Sequence, residues 1–371
     1  MPTEISSTSE SLPPSAAVQP VGGARFDLIM ATLSAWMILG LYIDGWSHMH
    51  LHLETFFSRW HAIFYSGFVA MVLFIGLTIL QSTRKGTPWA QTLPRGYGKT
   101  VLGLLVFITG GLGDMVWHVL FGLEKSVEAL VSPSHLLIFM GFGLTVSGPF
   151  RAAWQRPDED SPSSLRHHLP LLISLTLLWS VLTFVTMLMH PFVGAHAGLR
   201  SWTIWAAHGP VTLENSQIGG LCGIVVETAI LMGLLLLTIA RWQLPFGSVT
   251  LILTSNMALV SLLGDQYLLI PFAFLSGLGA DLLLMRLQPS IKRIGAYRLF
   301  AFAVPVLTYT GYFLGLKAKE GLGWSVQVVT GSLVLAGITG WLVSYLVLPP
   351  PGPWDRQLTN RRDDRPAEDA G

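Results

Sequence analysis

Ten stretches of this chain are apolar over lengths that approach or reach what a bilayer requires, and little sequence is left between them to build anything else. A spanning helix takes roughly 20 apolar residues. By that measure the segments are 27–47, 60–81, 100–122, 134–150, 169–189, 217–240, 248–264, 267–287, 297–316 and 324–348, with the fourth and seventh short. The chain is 51% hydrophobic and 12% charged, against a charged fraction of about 25% in ordinary soluble domains. Its mean hydropathy of +0.56 agrees, because a water-soluble fold has too little interior to hide so much apolar surface. The expected fold is an all-α integral membrane protein of about ten transmembrane helices.

Orientation follows from the short loops. Arg84, Lys85, Arg95, Lys99, Arg151, Arg156, Arg166, Arg241, Arg286, Lys292 and Arg293 fall in one alternate set, and the other set holds only Arg59, Lys125, Arg200, Lys317 and Lys319. Cytoplasmic loops carry the excess of Lys and Arg, so both termini are expected in the cytoplasm. Residues 1–25, rich in Ser, Pro and Thr, read as a disordered cytoplasmic tail rather than a cleavable signal, and 349–371 as a second tail. Residues 151–168 form a cytoplasmic loop, followed by six further helices over 169–348. A net charge of +1 excludes the strong basic field of a nucleic-acid binder. The single cysteine, Cys222, excludes an internal disulfide framework and a thiolate metal cluster.

Residues 26–150 read as a four-helix unit with an internal repeat. Asp44, His48, Glu54 and His61 recur as Asp114, His118, Glu128 and His135. In both copies the Asp and first His are four apart near a helix end, and the Glu and second His are seven apart across the turn into the next helix. Residues at i and i+4 share a helix face, so each Asp–His pair presents two donors together, and the second His completes the set from a neighbouring helix. Tryptophans accompany the pattern as Trp46, Trp60 and Trp117.

Of 11 histidines, His48, His50, His52, His61, His118, His135, His190, His196 and His208 fall on the face opposite the basic loops, with Asp44, Glu54, Asp114, Glu124, Glu128, Glu214 and Asp265. Taken singly, each histidine reads as an interfacial anchor or a cap on helix carbonyls. The repetition of Asp with His at one offset favours a metal. Asp44, His48, His61, Asp114, His118 and His135 are the expected ligands, with Glu54 and Glu128 as catalytic bases, extra ligands or orienters of imidazole. Imidazole and carboxylate without thiolate admit Zn, Cu, Fe, Mn or Ni. Glu227, in mid-segment, is expected to be neutral, paired or lining a polar cavity, and Asp281 to be solvated or paired with Arg286.

At Trp117-His118 and then Ser132-Pro133-Ser134-His135-Leu136-Leu137-Ile138-Phe139, the chain resembles the C subunit of copper-containing membrane monooxygenases, the particulate methane and ammonia enzymes. In that family a Trp-His pair precedes a Thr-Pro-Ser-His turn that opens a helix. The resemblance implies a copper-ligand role for His135. Val131 and Gly148 stand where the family has its acidic partner and downstream histidine. Asp44, His48 and His61, at offsets of 4 and 17, resemble the spacing of that copper site in different local sequence. Among transition metals the resemblance puts copper ahead of zinc or iron.

The leading expectation is a metal-dependent oxidoreductase of the bacterial plasma membrane that acts on a small or lipidic apolar substrate, with membrane lipid and other subunits as partners. A metal-assisted lipid hydrolase, a metal transporter or sensor, and a metal-free structural subunit are the alternatives.

Overall fold

The computed structural model describes residues 23–51, 58–122, 124, 127–156 and 164–350. Most of the expected tails and residues 157–163 of the 151–168 loop lie outside these residues, as do His52 and Glu54. The described chain is helical: α1 Ala24–His50, α2 Arg59–Arg84, α3 Gly98–Phe121, α4 Val127–Val131, α5 Pro133–Val146, α6 Gly148–Trp154, α7 Leu165–Val185, α8 Pro191–Gly194, α9 Leu199–Ala207, α10 Pro210–Arg241, α11 Ser248–Leu263, α12 Ile270–Leu287, α13 Ile294–Lys319 and α14 Val326–Val347.

Eight of these helices are long and apolar enough to cross a membrane, fewer than the ten expected. The shortfall has two local causes. The fourth segment breaks at Ser147–Gly148–Pro149 into α5 and α6, bent by 42°, where Pro149 has no backbone N–H to continue the ladder. The seventh segment, α11, has only 16 residues, about 24 Å at 1.5 Å per residue, short of the roughly 30 Å of a bilayer core. Asp281 is fully buried and caps this helix from α12. Its carboxylate accepts from Val249 N at 3.0 Å, Thr250 N at 2.9 Å and Thr250 Oγ1 at 2.6 Å. It therefore serves the N–H groups that open α11 rather than pairing with Arg286.

Helix α1 packs on α2, and α3 on α5, as two hairpins. Glycine sets both approaches. A Cβ on Gly40 would lie 2.6 Å from the Phe64 backbone, and one on Gly141 would lie 2.7 Å from that of Phe107. Helix α1 also packs against α7 and α11, which tie the hairpins to the bundle of α10 to α14. Leucines such as Leu73, Leu77, Leu105 and Leu112 remain exposed on α2 and α3, as lipid-facing positions do. At the basic end, buried Asp27 accepts a 2.8 Å hydrogen bond from Tyr97 and pairs with Arg156, fixing the start of α1 against the loop before α3.

Candidate metal centre

Asp44 and His48 lie in the last two turns of α1, on one face. His61 sits in the first turn of α2, where Ser58 accepts a 3.1 Å hydrogen bond from its backbone N–H and fixes the start of the helix. Asp44 Oδ2 is 3.6 Å from His48 Nε2 and 3.3 Å from His61 Nε2. The other hairpin repeats the arrangement. Asp114 and His118 end α3, and His135 follows Pro133 at the opening of α5. Asp114 Oδ2 lies 3.3 Å from His118 Nε2, and Asp114 Oδ1 lies 3.3 Å from His135 Nε2. Within each triad the three donor atoms all fall within 4.8 Å of one another. An ion at about 2.0–2.2 Å from each donor places donors roughly 3–4.3 Å apart, so both groups can hold a metal ion.

Both triads line a single cavity of about 700 Å³. Its remaining wall is mostly apolar, with Leu41, Phe64, Ile138, Phe139 and Phe184 among the lining residues. The carboxylates are deep: the Asp114 side chain is 3% exposed and that of Asp44 9%, whereas His48 at 39% opens toward the mouth. Asp44 Oδ1 is buried and accepts no hydrogen bond from the described residues. An anionic oxygen without a partner in such a place is costly, and a cation held by the triad would offset that cost.

Proton placement distinguishes the second triad. His118 Nδ1 lies 3.1 Å from the Gly122 carbonyl, which can only accept, so this nitrogen carries the ring proton. In a neutral ring Nε2 then presents a lone pair, and it faces the acceptor Asp114 Oδ2. His135 stands between two carboxylates. Its Nδ1 is 2.8 Å from Ser132 Oγ and 3.2 Å from Glu124 Oε2, and its Nε2 is 3.3 Å from Asp114 Oδ1. Two imidazole Nε2 atoms thus converge on the Asp114 carboxylate. Ser134 Oγ donates to Asp114 Oδ1 at 2.9 Å and holds its orientation. Ligating histidines commonly give their other N–H to a carbonyl or carboxylate in this way.

All six expected ligands are brought together. Of the two expected bases, Glu54 lies outside the described residues, and Glu128 is exposed on α4 and does not line the cavity. Glu124 takes the place beside His135 instead. Its position in the loop after α3 gives no periodic signal that would have singled it out. Tyr65, on the cavity wall, was missed because a lone aromatic in an apolar run reads as core. His50 also lines the cavity but pairs with Asp265 at 2.8 Å and stacks on Trp46. The hydrogen bonds from His50 and Tyr267 hold the Asp265 carboxyl below its usual range despite slight burial, which acts the other way.

The other histidines lie elsewhere. His196 Nδ1 is 3.2 Å from Ser216 Oγ, and His208 Nδ1 is 2.8 Å from the Ile204 carbonyl. His190 Nε2 lies 3.6 Å from Glu227 Oε2, both side chains 1% exposed. Glu227 also accepts a hydrogen bond from Thr186. Complete burial pushes the His190 imidazole down to about 3, keeping it neutral. No protein-family model, curated protein or solved structure matches this chain.

Proposed function

We propose that this protein is a metal-dependent membrane oxidoreductase that holds one transition-metal ion in each Asp–His–His triad, copper ahead of zinc or iron. The observation that carries the reading is the grouping around Asp114: the Nε2 atoms of His118 and His135 meet one buried carboxylate, and the Gly122 carbonyl holds the His118 proton on Nδ1, which suits a metal cation. The orphaned Asp44 Oδ1 supports the same reading for the first triad. Imidazole with one carboxylate and no thiolate is compatible with Cu(II), and the resemblance at Trp117-His118 and Ser132–His135 favours that ion.

Three protein donors leave coordination positions open toward the cavity, and its apolar wall suits an apolar substrate. Bound copper would supply redox chemistry that side chains lack. The chain's own part is to orient the imidazoles through Gly122, Ser132 and Glu124, to seat the substrate, and to keep water out. Beneath the cavity Phe64, Phe68, Phe107 and Phe142 interlock, with ring centroids 4.8–6.2 Å apart. That packing weighs against ion transport, which needs a polar route across the bilayer. By the positive-inside rule the site faces away from the cytoplasm, in our reading across a bacterial plasma membrane.

Elemental analysis of the detergent-purified protein tests the proposal. Copper at one ion per triad is expected, with half lost in Asp114→Ala/His118→Ala and the other half in Asp44→Ala/His48→Ala. Wild-type protein that stays metal-free after reconstitution would overturn it.

A further inference from the structure

A second cleft meets the metal cavity from the side. It lies between α2 and α3, encloses about 530 Å³, and is lined by Ser58, Arg59, Ala62 and Tyr65 with Ile108 and Leu112 facing them. That volume falls in the range of about 300–1,000 Å³ typical of ligand sites. The cleft exists because α2 packs on α1 and α3 on α5, while α2 and α3 make no extensive contact with each other. Below, Phe107 closes it by packing on Phe68 at 4.8 Å and Tyr65 at 5.7 Å. Above, Gly111 leaves the space that the Tyr65 hydroxyl fills, since a Cβ there would lie 2.6 Å from it.

His61 and Tyr65 line both spaces, so one imidazole and one phenol ring form the wall between the lateral cleft and the metal cavity. The cleft is amphiphilic along its length. From Ser58 to Tyr65 it runs down α2 for about 10 Å at 1.5 Å per residue, with apolar side chains below. At its mouth Arg59 is exposed and its guanidinium lies 4.5 Å from the Trp60 ring centroid, which steadies the charge at interface level. Among the described residues that line it none is acidic. A cation at the rim over an apolar trough complements one kind of membrane component: a lipid with an anionic headgroup.

We propose that the α2–α3 cleft binds an acyl chain of an anionic phospholipid, with its phosphate on Arg59 and its chain against Tyr65 and His61, and that such a hydrocarbon chain is what the metal cavity receives. The lipid site stands on the cleft alone; the assignment of the chain as substrate rests on the metal-dependent function proposed above. Bulk lipid contacts any exposed leucine, so the distinguishing features are headgroup preference and a defined position of the chain.

The test is photolabelling in nanodiscs with phosphatidylglycerol carrying a diazirine in one acyl chain, compared with the same chain on phosphatidylcholine, with adducts mapped by mass spectrometry. Labelling of residues 58–65 and 108–115 several-fold stronger from phosphatidylglycerol is expected. Arg59→Gln should abolish that preference, and Ala62→Trp, which fills the trough, should reduce labelling there while leaving adducts on α14 unchanged as a folding control. Equal labelling by both lipids, unaffected by either variant, would overturn the proposal. Metal content measured on the same samples separates the two ideas. Metal-loaded protein without selective labelling defeats the cleft alone, whereas selective labelling of metal-free protein supports the lipid site and defeats the function.

Discussion

A neutral imidazole has one proton to place, and where it goes decides what the ring can hold. At His118 the Gly122 carbonyl claims it, so the other nitrogen is left as a donor to a cation beside Asp114. His190 shows the opposite use of the same side chain. Its Nδ1 accepts from Phe192 N at 3.2 Å, so its proton resides on Nε2 and points at Glu227. Because burial lowers its folded-state pKa to about 3, the unfolded chain binds a proton that the folded chain does not as pH falls below about 6.5. Stability is therefore fully present above that pH and is lost on acidification, by up to about 1.4 kcal/mol per pH unit for one proton. Thermal melts from pH 7 to 4 should show a shallower acid loss in His190→Gln than in wild type, and equal slopes would refute this account. The i, i+4 Asp–His pairs were legible at this scale because helix geometry alone puts such residues on one face. Glu124 was not, because a loop's path brings it to His135 while Glu128, with the better spacing, turns outward on α4.

At the scale of elements, the triads are products of two close helix crossings. Each second histidine reaches its Asp only because a glycine lets the hairpin arms approach: Gly40 against Phe64, Gly141 against Phe107. Adding a methyl group at Gly141 meets backbone rather than a yielding side chain, and overpacking of this kind costs about 1–3 kcal/mol. Gly141→Ala is expected to separate α3 from α5, draw His135 away from Asp114, and halve the bound metal. Gly143→Ala, whose added carbon would meet only Leu178 at 4.0 Å, should leave metal content intact. Equal loss in both variants would show that the crossing does not set the site. The α11 segment belongs here too. Its apolar run was legible, but where its helix begins depends on the Asp281 carboxylate of another element, and no local pattern marks that.

For the whole molecule, α1 is the shared member. It supplies Asp44 and His48, packs on α2, and carries the contact to α7 and α11, with the Tyr42 hydroxyl donating to the Ser180 carbonyl at 2.9 Å and lying 3.0 Å from Thr183 Oγ1. Metal bound in the triads should therefore stabilise the global fold. Free ligand at a hundred times its Kd adds about 2.7 kcal/mol. Chelation should lower the Tm of the full bundle by a few degrees, in one transition reported alike by Trp fluorescence and by helix signal. An unchanged Tm after complete metal removal would mean that the triads are preformed without energetic coupling to the ion.

The sequence by itself determined the membrane class, the positions of eight of the ten expected spanning segments and the membership of each triad. These depend on apolar length and helical periodicity, both properties of neighbouring residues. Only the tertiary structure decided that both triads share one cavity, that Glu124 rather than Glu128 stands beside it, and that a cleft lies open between α2 and α3. Those outcomes depend on which helices approach closely and which do not, and that is set by side-chain size at crossings between segments far apart in the chain.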